Sequence, residues 1–92
     1  MNMYNLNDVV TVMADTGEYV GKFSEIDDNG QLVIADPRMV VANEQGMGFA
    51  AGIAMTGKQD PLSMTFAKYI FVTPTNDEVV SAYRQHVSGL II

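Results

Sequence analysis

The sequence predicts a mainly β protein: a five-stranded, strongly bent antiparallel barrel followed by a C-terminal α-helix. Five short segments rich in β-branched and aromatic residues alternate with clusters of Gly, Pro, Asn and Asp, which is typical of a small barrel. Gly21 stands inside the second segment, where a missing side chain suits a sharp bend of the strand. Near the C-terminus the apolar residues recur every four positions, which indicates a helix.

The size of the chain fits one domain. It has 92 residues, and we place the barrel at about 8–74 and the helix at about 76–88 of a single domain that spans 1–92. Hydrophobic residues make up 48% of the chain, a high share for a domain with so little interior. We therefore expect part of the apolar surface to lie against other copies of the chain.

Turn signals bound each predicted strand. Asn29-Gly30 predicts a type I′ hairpin turn, because both central residues of that turn need positive φ. Pro37 interrupts the third strand or marks a bulge, since proline cannot donate a ladder hydrogen bond. A polar turn at 43–46 and a breaker-rich loop at 56–63 enclose the fourth strand. The five strands are predicted at residues 9–13, 19–26, 32–42, 47–55 and 64–73.

The C-terminal helix has a predicted start, face and end. Thr75 and Glu78 form a capping box, with Thr75 as the N-cap. Val79, Tyr83 and Val87 make one apolar stripe, which we expect to pack on the barrel. Gly89 is the expected stop, and the apolar end at 90–92 is expected to be packed as well.

Composition excludes several classes of function. The net charge is −6 and the isoelectric point about 4.3, which argues against a surface that binds nucleic acid mainly through phosphates. The chain has no cysteine, so disulfides, thiolate metal sites and cysteine nucleophiles are excluded. No acid–base or nucleophile constellation is visible, and we predict neither enzymatic activity nor a cofactor. The N-terminus lacks the features of a signal peptide, so we expect a soluble cytoplasmic protein without a membrane partner.

One stretch follows a recognisable spacing. Glycine, an apolar residue, a second apolar residue with Asp, and then Leu-apolar-apolar with a final Asp fall in order on Gly21, Phe23, Ile26, Asp27, Leu32, Val33, Ile34 and Asp36. This pattern resembles the first motif of the Sm and Sm-like family over roughly residues 8–42. The resemblance implies an SH3-type barrel and a ring of six or seven copies. In such a ring the fourth strand of one copy pairs with the fifth strand of the next.

The resemblance also implies a position for a ligand. In the family the connection between the second and third strands lines the ring pore, where an Asn and a neighbouring side chain hold a uracil-like base. Gln31 occupies the position of that Asn, and Gly30 the place beside it. The second family motif, an apolar-Arg-Gly turn, is absent, and its place is taken by 66–69, where Lys68-Tyr69 is similar to a Lys-His pair of the bacterial branch. The candidate RNA-binding residues are Asp27, Asn29 and Gln31 for base edges, with Lys68 and Tyr69 for charge and stacking.

The helix is displaced relative to most of the family, whose chains begin with a helix. A C-terminal helix with the tail Ala82-Tyr83-Arg84-Gln85 and Ser88-Gly89 is similar to Sm-like proteins of bacteriophages of marine cyanobacteria. That likeness would place the protein in the cytoplasm of the host cell.

Two functions stay open at this level. The first is an RNA-binding ring that captures a short, U-rich single strand. The second is a structural or protein-binding ring that kept the fold and lost the ligand, which the acidity, the missing Arg motif and Gly30 favour. Asp27, Asn29 and Gln31 also have a purely structural interpretation, since such residues hold hairpin turns.

Three further patterns are weaker. Asp27 to Gly30 lacks the alternating ligands and distal Glu of a calcium loop. Gly46, Gly48 and Gly52 miss the spacing of a dinucleotide fingerprint. His86 is expected to have a surface or packing role, and no metal site is predicted.

Overall fold

The computed structural model describes residues 4–50 and 52–88. These residues form one antiparallel sheet of six strands and a C-terminal helix, with the strand order β4-β3-β2-β1-β6 and with β5 paired to β3. The elements are β1 Val9–Ala14, β2 Gly17–Ile26, β3 Leu32–Asn43, β4 Gly46–Phe49, β5 Ser63–Phe66, β6 Phe71–Pro74 and α1 Asp77–Ser88.

The long strand β3 organises the second half of the sheet. Its first part pairs with β5, from Leu32 opposite Phe66 to Ala35 opposite Ser63. Its last part pairs with β4 through a hairpin whose turn lies at the predicted position. β6 pairs with β1 at the other side of the sheet. The prediction of a mainly β antiparallel fold is confirmed. Within the described residues no strand pairing closes this sheet into a barrel, so the predicted closure is not observed.

The prediction of five strands is wrong in its second half. The predicted strand 47–55 ends at Phe49, and the predicted strand 64–73 is divided into β5 and β6. The division has a simple cause: β5 belongs to β3 and β6 belongs to β1, so residues 67–70 must carry the chain from one side of the sheet to the other. Residues 50 and 52–62 lie outside the strands, so the connection between β4 and β5 is longer than the predicted loop at 56–63.

Two contacts hold the end of this loop against β3. The carbonyl oxygen of Leu62 accepts a 2.9 Å hydrogen bond from the N–H of Asp36. The buried Arg38 pairs with the exposed carboxylate of Asp60, with 3.4 Å between Nη2 and Oδ1. The end of the loop therefore meets β3 at Asp36 and Arg38, on either side of Pro37.

A β-bulge lies at Gly21, where the sequence predicts a bend, and at Pro37, where it predicts an interruption or a bulge. Val20 faces Arg38 and Lys22 faces Ala35, so Gly21 stands opposite two residues of β3. A Cβ atom at Gly21 would lie 2.8 Å from Cδ1 of Ile34 and 3.0 Å from the carbonyl oxygen of Ala35. The backbones can approach this closely only because position 21 has no side chain, so the bulge requires a glycine here.

Both faces of the sheet carry buried apolar residues. Successive side chains of a strand point to opposite faces, so Val10 of β1 lies on one face of the sheet and Val9 on the other. The first face carries the main core, which consists of Val10, Val12, Tyr19, Phe23, Leu32, Ile34 and Phe66. The second face carries a smaller cluster of Val9, Val20 and Tyr83 under the helix.

Helix α1 packs as its apolar stripe predicted. Tyr83 has an exposed fraction of 0%, and Val79 and Val87 pack against the same cluster. The helix is too short and too polar to cross a membrane, and no other helix occurs in 4–50 and 52–88. The predicted stop at Gly89 and the packing of 90–92 lie outside the described residues.

The predicted capping box is wrong by one residue. Oδ1 of Asn76 accepts a 2.9 Å hydrogen bond from the N–H of Glu78, and its carbonyl oxygen accepts the first helical bond, so Asn76 is the N-cap. Thr75 directly follows β6 and is bonded to β1: its N–H donates to the carbonyl oxygen of Val9, and its Oγ1 lies 2.9 Å from Oγ1 of Thr11. The helix therefore begins one position later.

Candidate functional site

Between β2 and β3 the chain makes a three-residue loop, 28–30, which is closed by a backbone bond between Asp27 and Gln31. The N–H of Asp27 donates to the carbonyl oxygen of Gln31, and the N–H of Gly30 donates to the carbonyl oxygen of Asp27, each at 2.9 Å. Gly30 has a φ of 82°, whereas Asn29 is not among the residues with positive φ. The predicted type I′ turn is therefore wrong. The observed loop places a glycine in the left-handed position after a tight turn, which is the common geometry for three residues.

The side chain of Asp27 stabilises this turn through hydrogen bonds to its backbone. Its Oδ1 accepts hydrogen bonds from the N–H groups of Asn29 and Gln31, both at 2.9 Å. A tight loop leaves such N–H groups without strand partners, and a carboxylate oxygen is a strong acceptor for them. The structural interpretation of Asp27 is confirmed for this oxygen, and a contact between Asp27 and RNA stays a prediction.

A second loop reaches the same turn. Residues 67–70 connect β5 to β6, and the hydroxyl of Tyr69 donates a 3.4 Å hydrogen bond to the carbonyl oxygen of Gly30. The ring of Tyr69 stands edge-on to Phe66 of the main core, with centroids 6.4 Å apart. The N–H of Ile70 donates to Met13 of β1 at 2.8 Å. The loop is thus attached to the core, to β1 and to the turn.

The five candidate residues differ in burial and in their hydrogen bonds. Asp27, Gln31 and Tyr69 are half-buried, and hydrogen bonds to the same short turn connect them. Asn29 and Lys68 are exposed, and neither side chain contacts the other candidates through a hydrogen bond or ion pair in the described residues. Exposed Asn29 and half-buried Gln31 offer amide groups at the surface of the turn.

A cleft beside Tyr69 was not predicted. It has a volume of about 380 Å³ and lies between the β1–β2 turn and the β5–β6 loop. Asp15 and Thr16 line one side, and Lys68, Tyr69 and Ile70 line the other. The two sides are far apart in sequence, and the pairing of Met13 with Phe71 brings them together. No local signal could have predicted the cleft, because it depends on which strand β6 joins.

The described part of the chain contains no cluster of side chains that could bind a metal ion. No group of three or more His, Asp or Glu side chains is close enough to hold an ion there. His86 lies on the exposed side of the helix and packs against Phe49, with ring centroids 5.3 Å apart. This contact fits the predicted surface or packing role of His86.

Comparison with solved structures gives a likeness of fold. The chain is similar to the crystal structure of a heptameric archaeal Sm protein, with a TM-score of 0.51 and 15% sequence identity. The match covers 77% of this chain and 90% of that chain. No protein-family model matches the sequence, and no curated protein matches it significantly.

The likeness confirms one part of the prediction. The fold is Sm-like: a mainly β antiparallel sheet with a helix at the C-terminal end of the chain. An identity of 15% concerns the fold alone. The comparisons give no support for a phage origin.

Proposed function

We propose that the protein is an Sm-like ring-forming protein that holds a short single strand of RNA in the pore of a homo-oligomeric ring. One observation carries this proposal. The 3.4 Å hydrogen bond from Tyr69 to Gly30 joins the two loops that contain all the candidate residues. In a ring, each copy would present this pair of loops once, at equivalent positions around one axis. The proposed function is binding, without a catalytic step.

Unpaired strand edges support the ring. β5 and β6 each pair with one neighbour only in the described part of the chain. Apolar side chains beside them are exposed: Leu62 by 83%, Ile70 by 61% and Phe71 by 48%. Exposed edges with apolar neighbours readily pair with another chain. We propose that β5 of one copy pairs with β6 of the next, a heterologous contact that closes after six or seven copies. The heptameric state of the similar archaeal protein supports this number.

The chemistry of the two loops fits a single strand better than a duplex. The amides of Asn29 and Gln31 offer both donors and acceptors, which unpaired base edges require. The half-buried ring of Tyr69 offers a face on which a base can stack. Lys68 would contribute one positive charge per copy toward the phosphates. This set reads bases through their edges and faces, with little contribution from charge.

A second function is favoured by the acidity of the same turn. Asp28 is exposed next to Asn29, the chain carries a net charge of −6, and Gly30 provides no side chain beside Gln31. These features repel phosphates and remove one stacking partner. The alternative is a ring that serves as a structural or protein-binding module without RNA.

One titration separates the two functions. Fluorescence anisotropy of short U-rich and A-rich RNAs would be measured against the protein, with its oligomeric state determined in the same buffer by light scattering. The RNA-binding ring predicts saturable binding of the U-rich strand to the oligomer. A stable oligomer that leaves the anisotropy of both RNAs unchanged would contradict RNA binding and support the structural module.

A further inference from the structure

Asp36 has an unusual backbone conformation. It lies in the β-bulge opposite Gly21 and has a φ of 47°, in the left-handed region that residues other than glycine seldom adopt. Such a conformation persists only where surrounding contacts hold it.

Three different elements hold the three polar groups of Asp36. Its N–H donates to the carbonyl oxygen of Leu62 at 2.9 Å, at the end of the loop that precedes β5. Its carbonyl oxygen accepts a 2.7 Å hydrogen bond from the hydroxyl of Tyr83 on helix α1. Its carboxylate accepts a 3.2 Å hydrogen bond from Nζ of Lys22 on β2. One residue thus connects the helix, the loop and the sheet.

The loop contact lies directly beside the start of β5. Leu62 directly precedes Ser63, the first residue of β5, which faces Ala35 next to Asp36. β5 is only four residues long and pairs with β3 alone in the described part of the chain. A short edge strand of this kind depends strongly on the bonds at its ends. A change in the backbone of Asp36 would therefore be transmitted to β5.

The helix contact depends on Tyr83. Its side chain is fully buried between the helix and the sheet, so the hydroxyl can reach Asp36 only while the helix is docked. Undocking of the helix removes a hydrogen bond from a backbone that is already in an unfavourable conformation.

We propose that helix α1 is a clamp on the β5 edge: through Tyr83 and Asp36 its docking holds the bulge and β5 in place, and its undocking loosens that edge. The consequence for assembly rests on the proposed ring. If β5 is the strand that pairs with the next copy, helix docking regulates the association of subunits. A partner that displaces the helix would then weaken the ring.

The test uses Tyr83→Phe, which keeps the buried ring and removes only the hydroxyl. Amide hydrogen exchange would be measured at Asp36 and at 63–66, and at the pairs between β1 and β2 for reference. We expect exchange about tenfold faster at Asp36 and 63–66, with β1 and β2 changed by less than about twofold. Tyr4→Phe is the matched control, because Tyr4 also donates its hydroxyl to a backbone carbonyl, that of Val72 on β6. The control should leave 63–66 unchanged.

Two results would overturn the clamp. One is unchanged exchange at 63–66 in Tyr83→Phe, and the other is an equal acceleration across the whole sheet, which would indicate general destabilisation only. Subunit association, measured by dilution, should weaken about tenfold in the same variant. Loosened exchange with unchanged association would overturn the regulation of assembly. A wild-type protein that is monomeric would refute the proposed ring itself, while the exchange comparison would still decide the clamp.

Discussion

The carboxylate of Asp27 accepts a 2.9 Å hydrogen bond from the N–H of Gln31, so the residue that stabilises the turn and the residue proposed to contact a base are bonded to each other. The same oxygen accepts the N–H of Asn29, also at 2.9 Å. The two neighbouring acidic residues of this turn differ: Asp27 is half-buried, whereas Asp28 is exposed and makes no such bonds in the described structure.

Asp27→Ala should therefore lower the free energy of unfolding by about 1–3 kcal/mol, because two turn N–H groups lose their acceptor. Asp28→Ala removes the same charge from the same turn and should change stability by less than about 0.5 kcal/mol. Urea denaturation of both variants measures the difference. Equal losses in the two variants would attribute the effect to charge instead of hydrogen bonding.

Gln31→Ala tests the proposed base contact. The side chain of Gln31 makes no hydrogen bond in the described structure, and its strand bonds are made by the backbone, so we expect a stability change below about 0.5 kcal/mol. RNA affinity should fall strongly, since one substitution removes an amide from every copy in the ring. Gln45→Ala, in the exposed β3–β4 turn, is the matched control and should keep the wild-type affinity. Anisotropy titrations that give the same affinity for both variants would remove Gln31 from the site.

Gly21→Ala tests the bulge. The added Cβ would lie 2.8 Å from Cδ1 of Ile34 and 3.0 Å from a backbone oxygen, so the strands would have to move apart. We expect a loss of about 1–3 kcal/mol, the usual range for overpacking. Gly48→Ala, in β4, has no atom within 4 Å of the new Cβ and should be nearly neutral. Thermal denaturation of the pair would contradict the close approach if both variants were equally stable.

Ile70→Lys tests the ring. Ile70 is 61% exposed within one copy and directly precedes β6, so lysine should leave the fold of the subunit intact. At the proposed contact between copies it would bury a charge and should dissociate the oligomer. Light scattering and circular dichroism together measure mass and fold. Leu6→Lys, at a position that is 69% exposed and lies outside β5 and β6, is the control and should leave the oligomer intact. A wild-type particle of 10.0 kDa would contradict the ring.

Tyr83 predicts a loss of stability at alkaline pH. Burial raises the pKa of its hydroxyl, the charge of Asp36 raises it further, and Arg38 and Arg84 oppose the shift. In the unfolded chain a tyrosine ionises near pH 10, while the folded state keeps this proton, so the unfolded state binds fewer protons above that pH. The stabilisation is complete below about pH 10 and is lost as the pH rises, by up to about 1.4 kcal/mol per pH unit.

Urea denaturation of the wild type and Tyr83→Phe from about pH 9 to about pH 11 measures this effect. The slope of stability against pH should be smaller in the variant, because its side chain does not ionise. Parallel curves would show that Tyr83 ionises equally in both states.

Local sequence patterns determined much of the fold. The β-branched segments of β1 to β3, the polar turn before β4 and the stripe around Tyr83 were predicted correctly, since each depends on residues close in sequence. Gly21 and Pro37 marked the bulge for a local reason as well: glycine has no side chain to keep a neighbouring strand away, and proline fixes φ and has no N–H to donate to a ladder. The motif from Gly21 to Asp36 likewise directed attention to the turn that Asp27 stabilises.

Contacts between distant residues decided the rest. Nothing within 64–73 shows that its first part pairs with β3 and its last part with β1, because the ladder bonds depend on the partner strand. By its local sequence Thr75 is a good N-cap, but its hydrogen bonds to Thr11 and Val9 attach it to β1 instead. The meeting of Tyr69 with Gly30 and the cleft beside Asp15 also arise from strand pairing. The sequence by itself determined which residues can turn, bend and cap, because those are properties of one short segment. The tertiary structure alone decided which of them meet, because hydrogen bonds and packing between strands are formed only when the whole sheet assembles.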